Sequence, residues 1–151
     1  MNVICVINKK GGVAKTTTSL ALGAGLRKKG YSVLFVDMDS QCNLSMCAGA
    51  DTDGKSLLGV LTEQIRIEDA VQQTPMGDVV PVELALAGAD SVITETGKEY
   101  RMKEALASVK KRYDFVIYEK GMKKLSSEAV FDQRLLFLCE FFSCSENVKF
   151  F

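Results

Sequence analysis

Two kinds of hydrophobic pattern alternate along the first four-fifths of the chain. Residues 2–7, NVICVI, form a short β-branched apolar run without polar alternation, which predicts a strand covered on both faces. Residues 16–29, TTTSLALGAGLRKK, switch to helical spacing, with Leu20, Ala24 and Arg27 on one side and Leu22 and Leu26 near another. Gly30 is placed to end that helix, and Arg27, Lys28 and Lys29 set cations at the negative end of its dipole. SVLFVD, 32–37, reads as a second buried strand ending in an acid. Strand, helix and strand in this order make a βαβ unit, whose crossover should be right-handed.

Further along, 55–62 and 66–73 predict short helices, and 78–82 a strand that Pro81 brings to its end. The spacing of Met102, Leu106 and Val109 predicts an amphipathic helix over 98–112, its lysines and arginines in water. DFVIY, 114–118, reads as another buried strand. The alternation predicts an α/β fold with a mostly parallel sheet. Residues 119–151 differ: they begin with charge and end in a Leu- and Phe-rich cluster closing on Phe150 and Phe151. SSEAVFDQRLLFLCEFF, 126–142, suggests a helix capped by Ser126 or Ser127, although its apolar residues are too crowded for one stripe.

Composition narrows the classes. With 151 residues, 47% hydrophobic and 25% charged, the chain fits one globular domain with a real core. Lysine plus arginine equals aspartate plus glutamate, 19 each, so no global field draws it to nucleic acid or membrane. No run reaches membrane-spanning length, and no basic leader precedes the first apolar run. Five cysteines with no export signal imply free thiols in a reducing cytoplasm. The C-x4-C spacing of Cys42 with Cys47 and of Cys139 with Cys144 suggests metal, but with no histidine in the chain small apolar side chains are the better reading.

The candidate chemistry lies between the first strand and the first helix, in NKKGGVAKTTTSL, 8–20. A phosphate needs small residues that let the backbone approach, consecutive N–H groups turned inward, and a helix whose positive end faces the anion. Gly11 and Gly12 supply a permissive backbone, Ala14 is small, Lys15 reaches toward the β/γ-phosphates, and Thr16 offers a hydroxyl to Mg2+. The bland alternative is a glycine turn with solvated lysines; the ordering strand, Gly-Gly, Lys-Thr, helix speaks against it.

These residues carry a resemblance. KGGVAKTT, Lys10 to Thr17 including Val13, resembles the deviant Walker A motif K-G-G-x-x-K-[ST] of the ParA/MinD group of P-loop ATPases. The resemblance implies a three-layer P-loop NTPase-like fold that binds ATP with Mg2+. It also implies that Lys15 serves the chain's own nucleotide while Lys10 reaches the partner's across a homodimer formed on ATP. A second cation supplied in trans would stabilise charge building on the phosphoryl oxygens. VDMDSQCN, 36–43, is similar to the D-x-D-P-Q-x-N segment of ParA-type partition proteins, with Ser40 in place of proline. By that resemblance Asp39 lies near Mg2+ and the attacking water, with Asn43 close behind. VVPVELALAGAD, 79–90, and the helix and strand after it also look like the ParA pattern.

The likeness covers about 2–117. Where the family's Walker B strand runs into Asp and then prolines, this chain has Tyr118 and Glu119, then Lys120, Gly121 and Met122. The expectation is therefore a fold incomplete on its C-terminal side: 1–118 as the N-terminal part of a ParA-like domain, and 119–151 as a non-homologous or out-of-frame tail, helical or disordered. The resemblance implies a partition ATPase with a ParB-like partner, nonspecific DNA binding in the intact family, a cytoplasmic and nucleoid location, and no membrane role. Two readings stand beside it: a nucleotide-binding remnant without turnover, and a MinD-like membrane regulator, for which 135–142 lacks a basic face.

Overall fold

The computed structural model describes residues 1–8, 12, 14–83, 98–121 and 135–138. Its strands are β1 (Asn2–Asn8), β2 (Val33–Asp37), β3 (Gln72–Thr74), β4 (Gly77–Val80), β5 (Phe115–Gly121) and β6 (Leu135–Leu138). The helices are α1 (Lys15–Lys28), α2 (Asn43–Ala48), α3 (Leu57–Leu61), α4 (Ile67–Ala70) and α5 (Lys98–Val109). The strands form one sheet in the order β3-β4-β2-β5-β1-β6. Every pairing is parallel except the β3–β4 hairpin.

The α/β class with a mostly parallel sheet is as the alternation implied. Burial shows why these strands lack polar alternation. Val33 and Phe35 of β2 join Ile4, Val6 and Ile117 in a core that includes Leu44 of α2, with Leu20, Leu22 and Leu26 of α1 packed against it. Leu34 and Val36 face the other way, into a core with Met102, Leu106 and Val109 of α5 and Leu57, Leu61 and Ile67 of α3 and α4. Both faces of each central strand are covered, giving three layers.

Several elements differ from their sequence reading. The buried face of α1 is Ser19 and Gly23, while Ala24 and Arg27 are exposed. The helix lies so near the sheet that a Cβ on Gly23 would run into the Phe35 ring, and such close approach selects a small residue at that position, with Leu20, Leu22 and Leu26 partly buried beside it. The helix suggested over 66–73 ends at Ala70, and Gln72–Thr74 pairs antiparallel with β4 instead. A short helix, Asn43–Ala48, was not anticipated.

The strand expected over 114–118 runs on to Gly121, through the charged Glu119 and Lys120. The suggested C-terminal helix is corrected at Leu135–Leu138, which is a strand parallel to β1. An unbroken apolar quartet satisfies the open hydrogen-bonding edge of β1 better as a strand than as a helix without a polar face. Its proposed caps Ser126 and Ser127, the cysteines Cys139 and Cys144, and Phe150 and Phe151 lie outside the described residues. Cys5, Cys42 and Cys47 are free thiols, as expected.

Candidate nucleotide site

The sheet order decides what stands beside the loop. β1 and β2 are joined through α1 yet are not neighbours: β5 lies between them, pairing with β1 on one side and β2 on the other. Glu119 of β5 is thus in register with Val6 and with Asp37. The C-terminal ends of three parallel strands converge under the start of α1, the usual place for a ligand in such sheets.

That start has the backbone features an anion site requires. Gly12 and Ala14 both hold left-handed backbone, at φ 71° and 61°. This is costly for alanine and common where successive amides curl inward. Among the described residues no side-chain cap is made at Ala14, and the first turn of α1 holds no acid of its own, which suits the positive end of the helix to an anion. Of the sequence-predicted loop residues, Gly12, Ala14, Lys15, Thr16 and Thr17 are described; Lys10, Gly11 and Val13 lie outside the described residues.

Two carboxylates meet the first turn of α1, and a third, Asp37, stands behind them. Thr16 Oγ1 donates to Glu119 Oε1 at 2.6 Å, across 103 residues of sequence. Lys15 Nζ lies 3.5 Å from Asp39 Oδ2, with both side chains largely buried. Asp37 is fully buried and accepts the N–H groups of Asp39 at 3.0 Å and Ser45 at 2.8 Å and the Ser45 hydroxyl at 2.7 Å. Asp37 thereby ties the end of β2 to α2. Asp39 also accepts the Gln41 N–H at 3.1 Å, while Asn43 is exposed and, among the described residues, bonds to the Gln41 side chain.

Glu119, which the sequence allows to hold a magnesium-bound water but which the expected site leaves out, stands within it. It is fully buried, and its Oε2 has no hydrogen-bond partner among the described residues. The available signal was an acid at the end of a buried strand; its extra methylene and the unfamiliar residues after it masked its place. Burial pushes its carboxyl above the ordinary range, against the opposing Thr16 and Ser19 hydroxyls, with the Asp37 charge adding to the rise. Ser19 nevertheless directs its own proton to the Lys15 carbonyl, at 3.0 Å. Burial raises Asp37 too, outweighing its Ser45 hydrogen bonds.

A carboxyl with a raised folded pKa binds its proton more tightly folded than unfolded. Its stabilisation is complete below the unfolded value, near 4.5 for glutamate, and is lost as pH rises through the folded value. Glu119→Gln keeps an oxygen for Thr16 and removes the charge. The variant should melt a few degrees above the wild type in ligand-free protein at neutral pH. The gap should close as pH falls toward 4.5; thermal melts with a pH-independent gap would contradict this reading.

The other features lie apart. Burial raises the Cys5 thiol to about 11, so it is unreactive. A cavity of about 520 Å3 lies between α3–α4 and α5, lined by Glu68, Arg101 and Ser108 among others, and contains none of the residues above. Lys110, Lys111 and Arg112 are exposed just after α5. Among the described residues no helix is long and apolar enough to cross a membrane.

A strand slotted between the two that flank a phosphate-type loop, its terminal acid bonded to the loop threonine, is the layout of the P-loop ATPase class. Residues 1–121 match the family described as AAA domain. The chain belongs to that family and, within it, to the ParA/MinD group. It is 38% identical over 123 residues to the sporulation initiation inhibitor protein Soj of Bacillus subtilis, covering 78% of this chain and 48% of that one. It is 32% identical over 145 residues to the chromosome-partitioning ATPase Soj of Treponema pallidum, covering 91% of this chain and 57% of that one. Among solved structures, it is similar to cobyrinic acid a,c-diamide synthase of Mycobacterium smegmatis with bound ATP analog and magnesium. That match has a TM-score of 0.71 and 38% identity, over 78% of this chain and 50% of that one. The chain thus spans about half the length of the relatives it matches.

Proposed function

We propose that this chain carries the nucleotide-binding half of a ParA-type ATPase of chromosome or plasmid partition, with Mg-ATP as its ligand. The observation that carries it is the uncapped start of α1, where Lys15 and Thr16 stand against Asp39 and Glu119. The relatives named for chromosome partitioning and the magnesium-bound neighbour support the same reading.

The residues fit the cofactor. A hydroxyl and carboxylates are hard oxygen donors of the kind Mg2+ takes, and the partnerless Glu119 Oε2 leaves one buried acceptor for it or its water. No cluster of three His, Cys, Asp or Glu among the described residues could hold a metal unaided. Such a site relies on phosphate oxygens and water to complete the shell. When bound, Mg2+ would offset charge on the phosphates. Lys15 and the α1 amides would bind and orient the phosphate chain, Thr16 would turn its hydroxyl from Glu119 toward the metal, and Asp39 and Glu119 would hold its water.

The rest of the proposal follows the family: Lys10 as a cation supplied across an ATP-dependent homodimer, a ParB-like partner, nonspecific DNA, and a cytoplasmic, nucleoid-associated protein. The division into 1–118 and a distinct segment 119–151 is proposed likewise, with Glu119–Gly121 belonging structurally to β5. A nucleotide-binding remnant without turnover is the second reading, favoured by glutamate at the strand end where the group has aspartate. Titration with a fluorescent ATP analogue should show saturable, magnesium-dependent binding, and its absence would overturn the proposal. Phosphate release above background would then decide for the ATPase over the remnant.

A further inference from the structure

Gly121 ends β5, opposite Asn8 of β1. Its backbone does not call for glycine, since the described glycines with positive φ are Gly12, Gly30, Gly49 and Gly77. What does call for glycine is a side chain from the segment just beyond the end of β2. A Cβ at position 121 would lie 2.7 Å from Asp39 Oδ2 and 2.8 Å from its Cγ and Oδ1. The Asp39 carboxylate therefore occupies the space a side chain would take, and in that place it reaches Lys15 Nζ at 3.5 Å. The Asp39 side chain is only 7% exposed. Its Oδ1 is already engaged by the Gln41 N–H, so it cannot retreat without breaking one of these contacts.

We propose that Gly121 is a positioning residue: it gives the Asp39 carboxylate the room to hold Lys15, which is then exchanged from Asp39 to an incoming phosphate. Asp39 acts as an internal anion at the loop lysine, and the missing side chain at 121 sets its position. The inference rests on the nucleotide site proposed above, but the contact itself exists in the ligand-free protein and is testable there.

The first test is acylation of Lys15 in ligand-free protein, followed by mass spectrometry. Asp39→Ala and Gly121→Ala should each raise the Lys15 rate, by about threefold if the pair is worth a fraction of a kcal/mol. The double variant should match Asp39→Ala alone, because an alanine at 39 leaves nothing for the new Cβ to displace. Additive effects, or a wild-type rate in either single variant, would overturn the proposal. If Gly121→Ala does not fold, the double variant should, since the clash is with the carboxylate; failure of both would place the need for glycine elsewhere.

In the second test, a fluorescent ATP analogue should bind Gly121→Ala more tightly than wild type, because Lys15 is released while the Asp39 carboxylate is still present for the metal's water. Unchanged affinity in Gly121→Ala would refute the exchange. A wild type that binds no analogue refutes the nucleotide site, and the acylation result then still reports separately on whether Gly121 places Asp39.

Discussion

Gly23→Ala is expected to cost the domain about 3 kcal/mol, near the upper end for overpacking a tight core. Gly23 is buried on α1, and its added methyl would occupy space held by the Phe35 ring. Phe35 is fully buried between β4 and β5, and Gly77 also lies against its ring, 3.3 Å from an added Cβ. The ring has no free side to turn toward, so α1 must lift from the sheet. That movement would carry Lys15 and Thr16 away from Asp39 and Glu119, and any nucleotide affinity should fall with stability. Urea unfolding measures the first effect, and a midpoint within error of wild type would show that the contact relaxes cheaply. Gly25, where an added Cβ meets nothing within 4 Å, is the control. Gly25→Ala should be neutral or stabilising through helix propensity.

Lys15→Ala is expected to abolish nucleotide binding, with a loss of at least about 100-fold in affinity, the worth of a charged hydrogen-bonding group at a shielded phosphate. The geometry adds a second reason. Lys15 is the cation seen at the carboxylates of Asp39 and Glu119 among the described residues. Without it those acids face the phosphates unopposed. Lys28→Ala, at the exposed far end of α1, should leave affinity unchanged. Equal affinity of wild type and Lys15→Ala for the fluorescent analogue would remove the loop from the site.

How far the sequence could be read depends on the range of the interactions. The β1 and β2 strands, α1, and the inward face of α5 were legible because a two-sided apolar run and a 3.6-residue spacing are local consequences of burial. The core positions Met102, Leu106 and Val109 lie where that spacing put them. The fully buried positions of α1, Ser19 and Gly23, were not read from the sequence, because the distance between helix and sheet selects them and hydrophobic spacing does not report it. β3 and β6 were missed because each exists through a partner strand, β4 in one case and β1 in the other. Glu119 and Gly121 looked like the loss of a motif, since neither matches the residues expected there.

By itself, the order of residues determined the class of fold, the phosphate-type loop and its opening helix, and the acids Asp37 and Asp39 at the end of a strand. Only the tertiary structure decided that β5 inserts between β1 and β2, bringing Glu119 to Thr16 across 103 residues and Gly121 to Asp39. The physical reason is that periodicity reports which way a side chain faces, while strand order and close approach depend on contacts between segments far apart in the chain.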